Sequence, residues 1–146
     1  MDKVQIVHLE LVRDGELFYE KSVNEIENIL EIAQKTFQQP DREKVYVCGV
    51  DSSHVPVYLE MVALGHGNSC SLEVKDVFKS LIVSNCKAFF MWHFHVGQGK
   101  LKTSTGDIRV TEKMEWLGNF MGIPLLDHLI IGRKGYVSIM DELRLE

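Results

Sequence analysis

With 146 residues, 45% hydrophobic and 25% charged, the chain has an ordinary globular composition and the length for one domain with a sizeable core. Its formal net charge of −5, with Lys100, Lys102, Lys113, Arg133 and Lys134 scattered rather than striped, argues against a strongly electrostatic nucleic-acid binder without excluding local basic patches. No apolar run approaches the roughly 20 residues of a membrane span, and no signal-peptide pattern follows Met1. Three widely spaced cysteines, Cys48, Cys70 and Cys86, suit reduced, buried thiols in a cytoplasmic protein better than a disulfide framework or a CxxC metal site.

In chain order, Val4 to Val12 alternates and is rich in β-formers, predicting a strand, an Asp14-Gly15 turn and a short second strand at Leu17-Phe18-Tyr19. Ser22-Val23-Asn24-Glu25 has the capping-box pattern. It predicts a helix with the stripe Ile26, Ile29, Leu30, Ala33 and Phe37, stopped by Gln38-Gln39-Pro40-Asp41. Glu43 to Val50 and Val55 to Leu64 read as strands joined at Asp51-Ser52-Ser53, with Pro56 keeping the start of the second out of a central ladder. After the break at Gly65-His66-Gly67-Asn68, Ser71 predicts a cap for a helix from Leu72 to about Asn85, with Val74, Val77, Phe78, Leu81 and Ile82 inward.

Ala88 to His95 is nearly continuous in apolar residues, as in a central strand covered on both faces. A helix from about Ser104 to Met121 presents Ile108, Thr111, Met114, Glu115, Leu117 and Phe120 and ends at Gly122-Ile123-Pro124. Leu125 to Gly132 and Gly135 to Met140 form a hairpin around Arg133-Lys134. Trp92, Trp116 and the methionines Met61, Met91, Met114 and Met121 read as packing residues, and His54 and His66 as turn residues. The expected architecture is one α/β domain over residues 1–146, a mixed β-sheet with helices on its faces.

The chemistry gathers at the end of the central strand. Residues i and i+2 of a strand share a side, so His93 and His95 can aim at one point while Phe94 turns into the opposite layer. Asp107 follows in the first turn of the next helix, where the dipole favours an anion. Two imidazoles and a carboxylate leave the fourth position of tetrahedral zinc open, as a hydrolase requires. A general base must be added, and spacing does not choose among Glu43, Glu60 and Glu73. Blander readings stand beside these: both histidines as hydrogen-bonded core residues, and Ser104-x-x-Asp107 as a capping box in which Asp107 serves the helix alone. His128 reads as a structural hydrogen-bonding residue rather than a further ligand.

His93-Phe94-His95, Ser104-Thr105-Gly106-Asp107 and Met121-Gly122-Ile123-Pro124-Leu125-Leu126-Asp127-His128-Leu129-Ile130-Ile131-Gly132 together resemble the JAMM (JAB/MPN) metallopeptidase motif, most closely its bacterial RadC branch. Tyr136, Ser138 and the segment from Gly65 to Val77-Phe78-Lys79 extend the likeness, which covers roughly Glu43 to Met140. The resemblance implies a fold like that of cytidine deaminases. It also implies zinc held by His93, His95 and Asp107, Ser104 steadying an oxyanion, and Glu43 as general base. The implied activity is cleavage of a peptide or isopeptide bond in a protein substrate by a zinc-activated water.

Three departures touch the loop: Val96 replaces a proline, Phe94 replaces the asparagine of the RadC branch, and the span between His95 and Asp107 is one residue longer than the family's. The catalytic residue types are intact. The first forty residues read as a hairpin and helix, not as the helical region that often precedes this domain in RadC proteins. A non-catalytic MPN-like interaction module and an accessory role in DNA repair are the alternative functions, the second resting only on the RadC association. Oligomeric state, a homodimer included, is left open by the sequence.

Overall fold

The computed structural model describes residues 2–37, 43–64, 72–95 and 101–144. Helix α1 (Ile26–Lys35) precedes strands β1 (Lys44–Val50) and β2 (Pro56–Leu64), followed by α2 (Val74–Val83) and β3 (Ala88–Phe94). Then come α3 (Thr105–Met121), β4 (Leu125–Gly132), β5 (Gly135–Ser138) and α4 (Ile139–Arg144). The strands form one five-stranded sheet in the order β2-β1-β3-β4-β5. Among the described strands only the β3–β4 pair is parallel, joined by the α3 crossover. This is the expected mixed α/β domain, with the expected central strand at its centre and Pro56 on an edge strand.

All seven residues of β3 are buried because both faces are covered. Ala88, Phe90, Trp92 and Phe94 pack with Ile29, Ile32 and Ala33 of α1. Phe89 and Met91 face the other way, onto Val77, Phe78 and Leu81 of α2 and Met114 of α3. Phe94 therefore lies in the layer opposite His93, edge-on to Phe37 with ring centroids 5.3 Å apart. The indole N–H of buried Trp92 donates to Thr36 Oγ1 at 3.2 Å, so the largest core side chain leaves no polar group unpaired. Cys48 and Cys86 are buried free thiols, as expected, while Cys70 lies outside the described residues.

Several expectations need correction. Residues 2–21 form no strand or hairpin, and Val4, Ile6 and Val12 are almost fully exposed. Alternation supplies propensity, but a hairpin without a packed face is marginal in water, and no described strand pairs with it. The cap of α1 is Glu25 rather than Ser22: Asn28 Oδ1 accepts the backbone N–H groups of Asn24 and Glu25, both at 3.1 Å. Helix α2 starts behind Glu73, Ser71 lies outside the described residues, and Ile82 faces solvent.

On α3 the buried positions are Thr111, Met114 and Gly118, while Trp116 and Phe120 stack on each other outside the core. Met61 and Met121 are likewise exposed. The final strand stops at Ser138, whose hydroxyl accepts the Asp141 N–H and starts α4. Among the described residues, no helix is long and apolar enough to cross a membrane.

Candidate metal centre

Three elements converge at the C-terminal end of β3. His93 ends the strand's helix-α3 face, His95 follows one residue past the strand, and its N–H donates to Ile131 O of β4 at 2.9 Å. Ser104 caps α3 with its Oγ accepting Asp107 N–H at 3.0 Å, and Asp107 Oδ2 accepts Ser104 N–H at 2.9 Å. The capping box is thus real. It does not withdraw Asp107 from the site, because Oδ1 of the same carboxylate lies 3.4 Å from His93 Nε2.

His93 Nε2 and His95 Nε2 are 3.1 Å apart, and His95 Nε2 is 3.8 Å from Asp107 Oδ2. His93, His95 and Asp107 form a group whose ligand atoms all lie within 4.8 Å of one another and could hold a metal ion. Glu43, just before β1, brings Oε1 to 3.9 Å from His95 Nε2. The antiparallel β1–β3 ladder, with Val45 opposite His93, positions it there. The other two carboxylates are engaged elsewhere: Glu60 accepts Ser80 Oγ–H at 2.9 Å, and Glu73 pairs with Lys75 at 3.3 Å. Val96, Gly97 and Gly99 lie outside the described residues, as does His66.

Two of the three candidate ligands, Asp107 and His95, have shifted pKa values. Burial alone would raise the Asp107 carboxyl, but the adjacent His93 and the Ser104 N–H outweigh it and keep it well below the usual range. Burial, then the neighbouring His93, lowers the pKa of His95 and favours its neutral form.

Behind His93 stands a second row that the sequence reading did not assemble. His93 Nδ1 lies 3.0 Å from His128 Nε2, His128 Nδ1 lies 2.7 Å from Thr111 Oγ1, and Thr111 Oγ1 donates to Asp107 O at 2.7 Å. His128 is fully buried, which with the nearby His93 pushes its pKa down to about 3. It is a hydrogen-bonding residue, as expected, but its partner is a candidate ligand. Its orientation depends on an irregularity: Phe89 pairs with Leu125 and Met91 with His128, so β4 spends one residue more than β3 between these pairs. This bulge inverts the alternation and turns His128, not Asp127, toward His93. Asp127 pins it, accepting His128 N–H at 2.7 Å and Ser138 Oγ–H at 2.9 Å. Thr111, four residues after Asp107, was the available sequence signal; the bulge left none.

A family model described as a RadC-like JAB domain matches residues 23–145. A UPF0758 protein of Methanosarcina barkeri is 32% identical over 136 residues, covering 91% of this chain and 59% of the relative. A UPF0758 protein of Chloroflexus aggregans is 34% identical over 101 residues, covering 69% of this chain and 44% of the relative. One from Clostridium novyi is 27% identical over 130 residues, covering 89% and 55%. The chain thus spans about half the length of these curated relatives. With a mixed sheet, a matching family model and the histidine pair placed beside Asp107, this chain belongs to the RadC-like JAB domain family.

Proposed function

We propose that the chain is a zinc-dependent hydrolase of peptide or isopeptide bonds, with His93, His95 and Asp107 as the metal ligands. The observation that carries this reading is the convergence of these three side chains with Glu43 beside them. Tetrahedral zinc with bonds of about 2.0–2.1 Å separates its ligand atoms by about 3.3 Å. His93 Nε2 lies 3.1 Å from His95 Nε2 and 3.4 Å from Asp107 Oδ1, close to that figure, while the 3.8 Å contact of His95 Nε2 is to the other carboxylate oxygen, Oδ2. Bound zinc supplies a Lewis acid that brings a water's pKa to about 7 and polarises an amide carbonyl.

Glu43 takes the proton of the attacking water as its oxygen adds to the carbonyl carbon. It returns that proton to the leaving nitrogen as the C–N bond breaks. Ser104 Oγ accepts the Asp107 N–H with one lone pair, and its O–H, which also reaches the Asp107 carboxylate, would turn to donate to the developing oxyanion. The buried thiols of Cys48 and Cys86 favour a reducing compartment, consistent with the cytoplasm.

Metal analysis after purification with added zinc tests the first part: about one equivalent is expected, and less than about a tenth would sink the proposal. Glu43→Gln should keep the metal while abolishing cleavage of a fluorogenic peptide and isopeptide panel. Loss of metal would mean that Glu43 is a ligand rather than the base.

A further inference from the structure

We infer that a hydrogen-bonded chain from the α3 backbone through Thr111 and His128 fixes which nitrogen of His93 faces the metal centre, making Thr111 and His128 positioning residues. The direction of the chain follows from counting hydrogens. A carbonyl only accepts, so the 2.7 Å contact between Thr111 Oγ1 and Asp107 O consumes the single hydroxyl hydrogen of Thr111. Thr111 Oγ1 can then only accept from His128 Nδ1, 2.7 Å away, which places the hydrogen of the neutral imidazole on Nδ1. His128 Nε2 is left as an acceptor, and its 3.0 Å partner, His93 Nδ1, must be the donor.

Neutral His93 consequently presents an unprotonated Nε2 toward His95 and Asp107. The reverse direction would leave two oxygens, Thr111 Oγ1 and Asp107 O, 2.7 Å apart with no hydrogen between them. A buried polar chain of this kind tolerates no such gap.

Asp107 therefore acts on the centre twice. Its carboxylate is a candidate ligand, and its backbone carbonyl starts the chain that sets the tautomer of another candidate ligand, as outer groups do at metal-bound histidines. Threonine suits the post because its hydroxyl can bond the i−4 carbonyl of its own helix while still accepting from outside.

The tautomer arm of the test does not require metal. In the chelator-treated full chain labelled with 15N-histidine, two-bond 1H–15N correlations should report His93 and His128 both as Nδ1–H tautomers. Thr111→Val, nearly isosteric, should move His93 toward its Nε2–H tautomer, and Thr111→Ser should restore the original pattern. An Nε2–H His93 in the parent chain, or no change in Thr111→Val, would overturn the inference.

The affinity arm rests on the metal reading and uses chelator competition for zinc. His128→Leu should weaken binding about 10–100-fold. In His128→Gln a side-chain carbonyl can still accept from His93 Nδ1–H, so affinity should recover to within about threefold of the parent. Equal losses in the two variants would reduce His128 to packing and overturn the inference. A parent chain that takes up no zinc would instead remove the metal reading, and the tautomer pattern would still decide the hydrogen-bond chain.

Discussion

At Asp107 two readings that compete in the sequence coexist in the fold, because a carboxylate has two oxygens and they diverge. Oδ2 closes the capping box and Oδ1 turns to His93, so the helix cap orients the candidate ligand instead of replacing it. His93, His95 and Asp107 were legible as residue types at fixed spacings, whereas Glu43 was singled out only by the family resemblance. The row behind them was not, because a hydrogen-bond chain depends on contacts between β4 and α3 that no spacing reports.

The buried His128 also sets a pH response. Unfolded, its imidazole protonates near 6.5; folded, burial and then His93 hold the value down to about 3. The folded state binds fewer protons between these limits, so stability present above 6.5 is lost as pH falls toward 3. The slope reaches about 1.4 kcal/mol per pH unit, and the lowered pKa of His95 acts in the same direction. Thermal melts of the chelator-treated protein from neutral pH to about pH 4.5 should show the midpoint falling. His128→Gln should flatten that fall; an unchanged slope would exclude His128 as its source.

Among the elements, β1, β2 and β3 could be read from their runs of β-formers and α3 from its Ser104 cap and Gly122 stop, but the apolar pattern of α3 did not report its buried face, where Gly118 is buried and Phe120 exposed. The bulge in β4 could not: the facing of Asp127 and His128 is decided by ladder pairing with β3, which a hydrophobic pattern does not encode. Helix α3 is held to β4 by a close approach at Gly118, where a Cβ would come within 2.5 Å of Ile123 O and 3.3 Å of Leu125 N. Gly122 then reverses the chain with φ at 74°, which glycine adopts freely. Because the near neighbours are backbone, Gly118→Ala cannot be relieved by a rotamer change. It should cost about 1–3 kcal/mol in chemical denaturation despite the higher helix propensity of alanine. A neutral or stabilising result would show that α3 can slide along the sheet.

On the scale of the whole molecule, the core stops short of the N-terminal arm. Alternation over Val4 to Val12 resembles that of a half-buried strand, yet these residues lie outside both core clusters. The first anchor is Tyr19, packed against the α1 layer, followed by the buried Val23, whose N–H donates to His54 O at 2.8 Å. Deletion of residues 2–15 should leave the melting midpoint within about 2 °C of the parent, since every one of these residues is exposed. A larger drop would place the arm against the core.

The single parallel pair has a consequence for the order of assembly. The β1–β2 and β4–β5 hairpins close over short spans, whereas β3 meets β4 only after the intervening segment has wound into α3 and folded back. His93, Asp107 and His128 sit on the two sides and the crossover of that late contact. A newly made chain can therefore close both hairpins before His93, Asp107 and His128 come together.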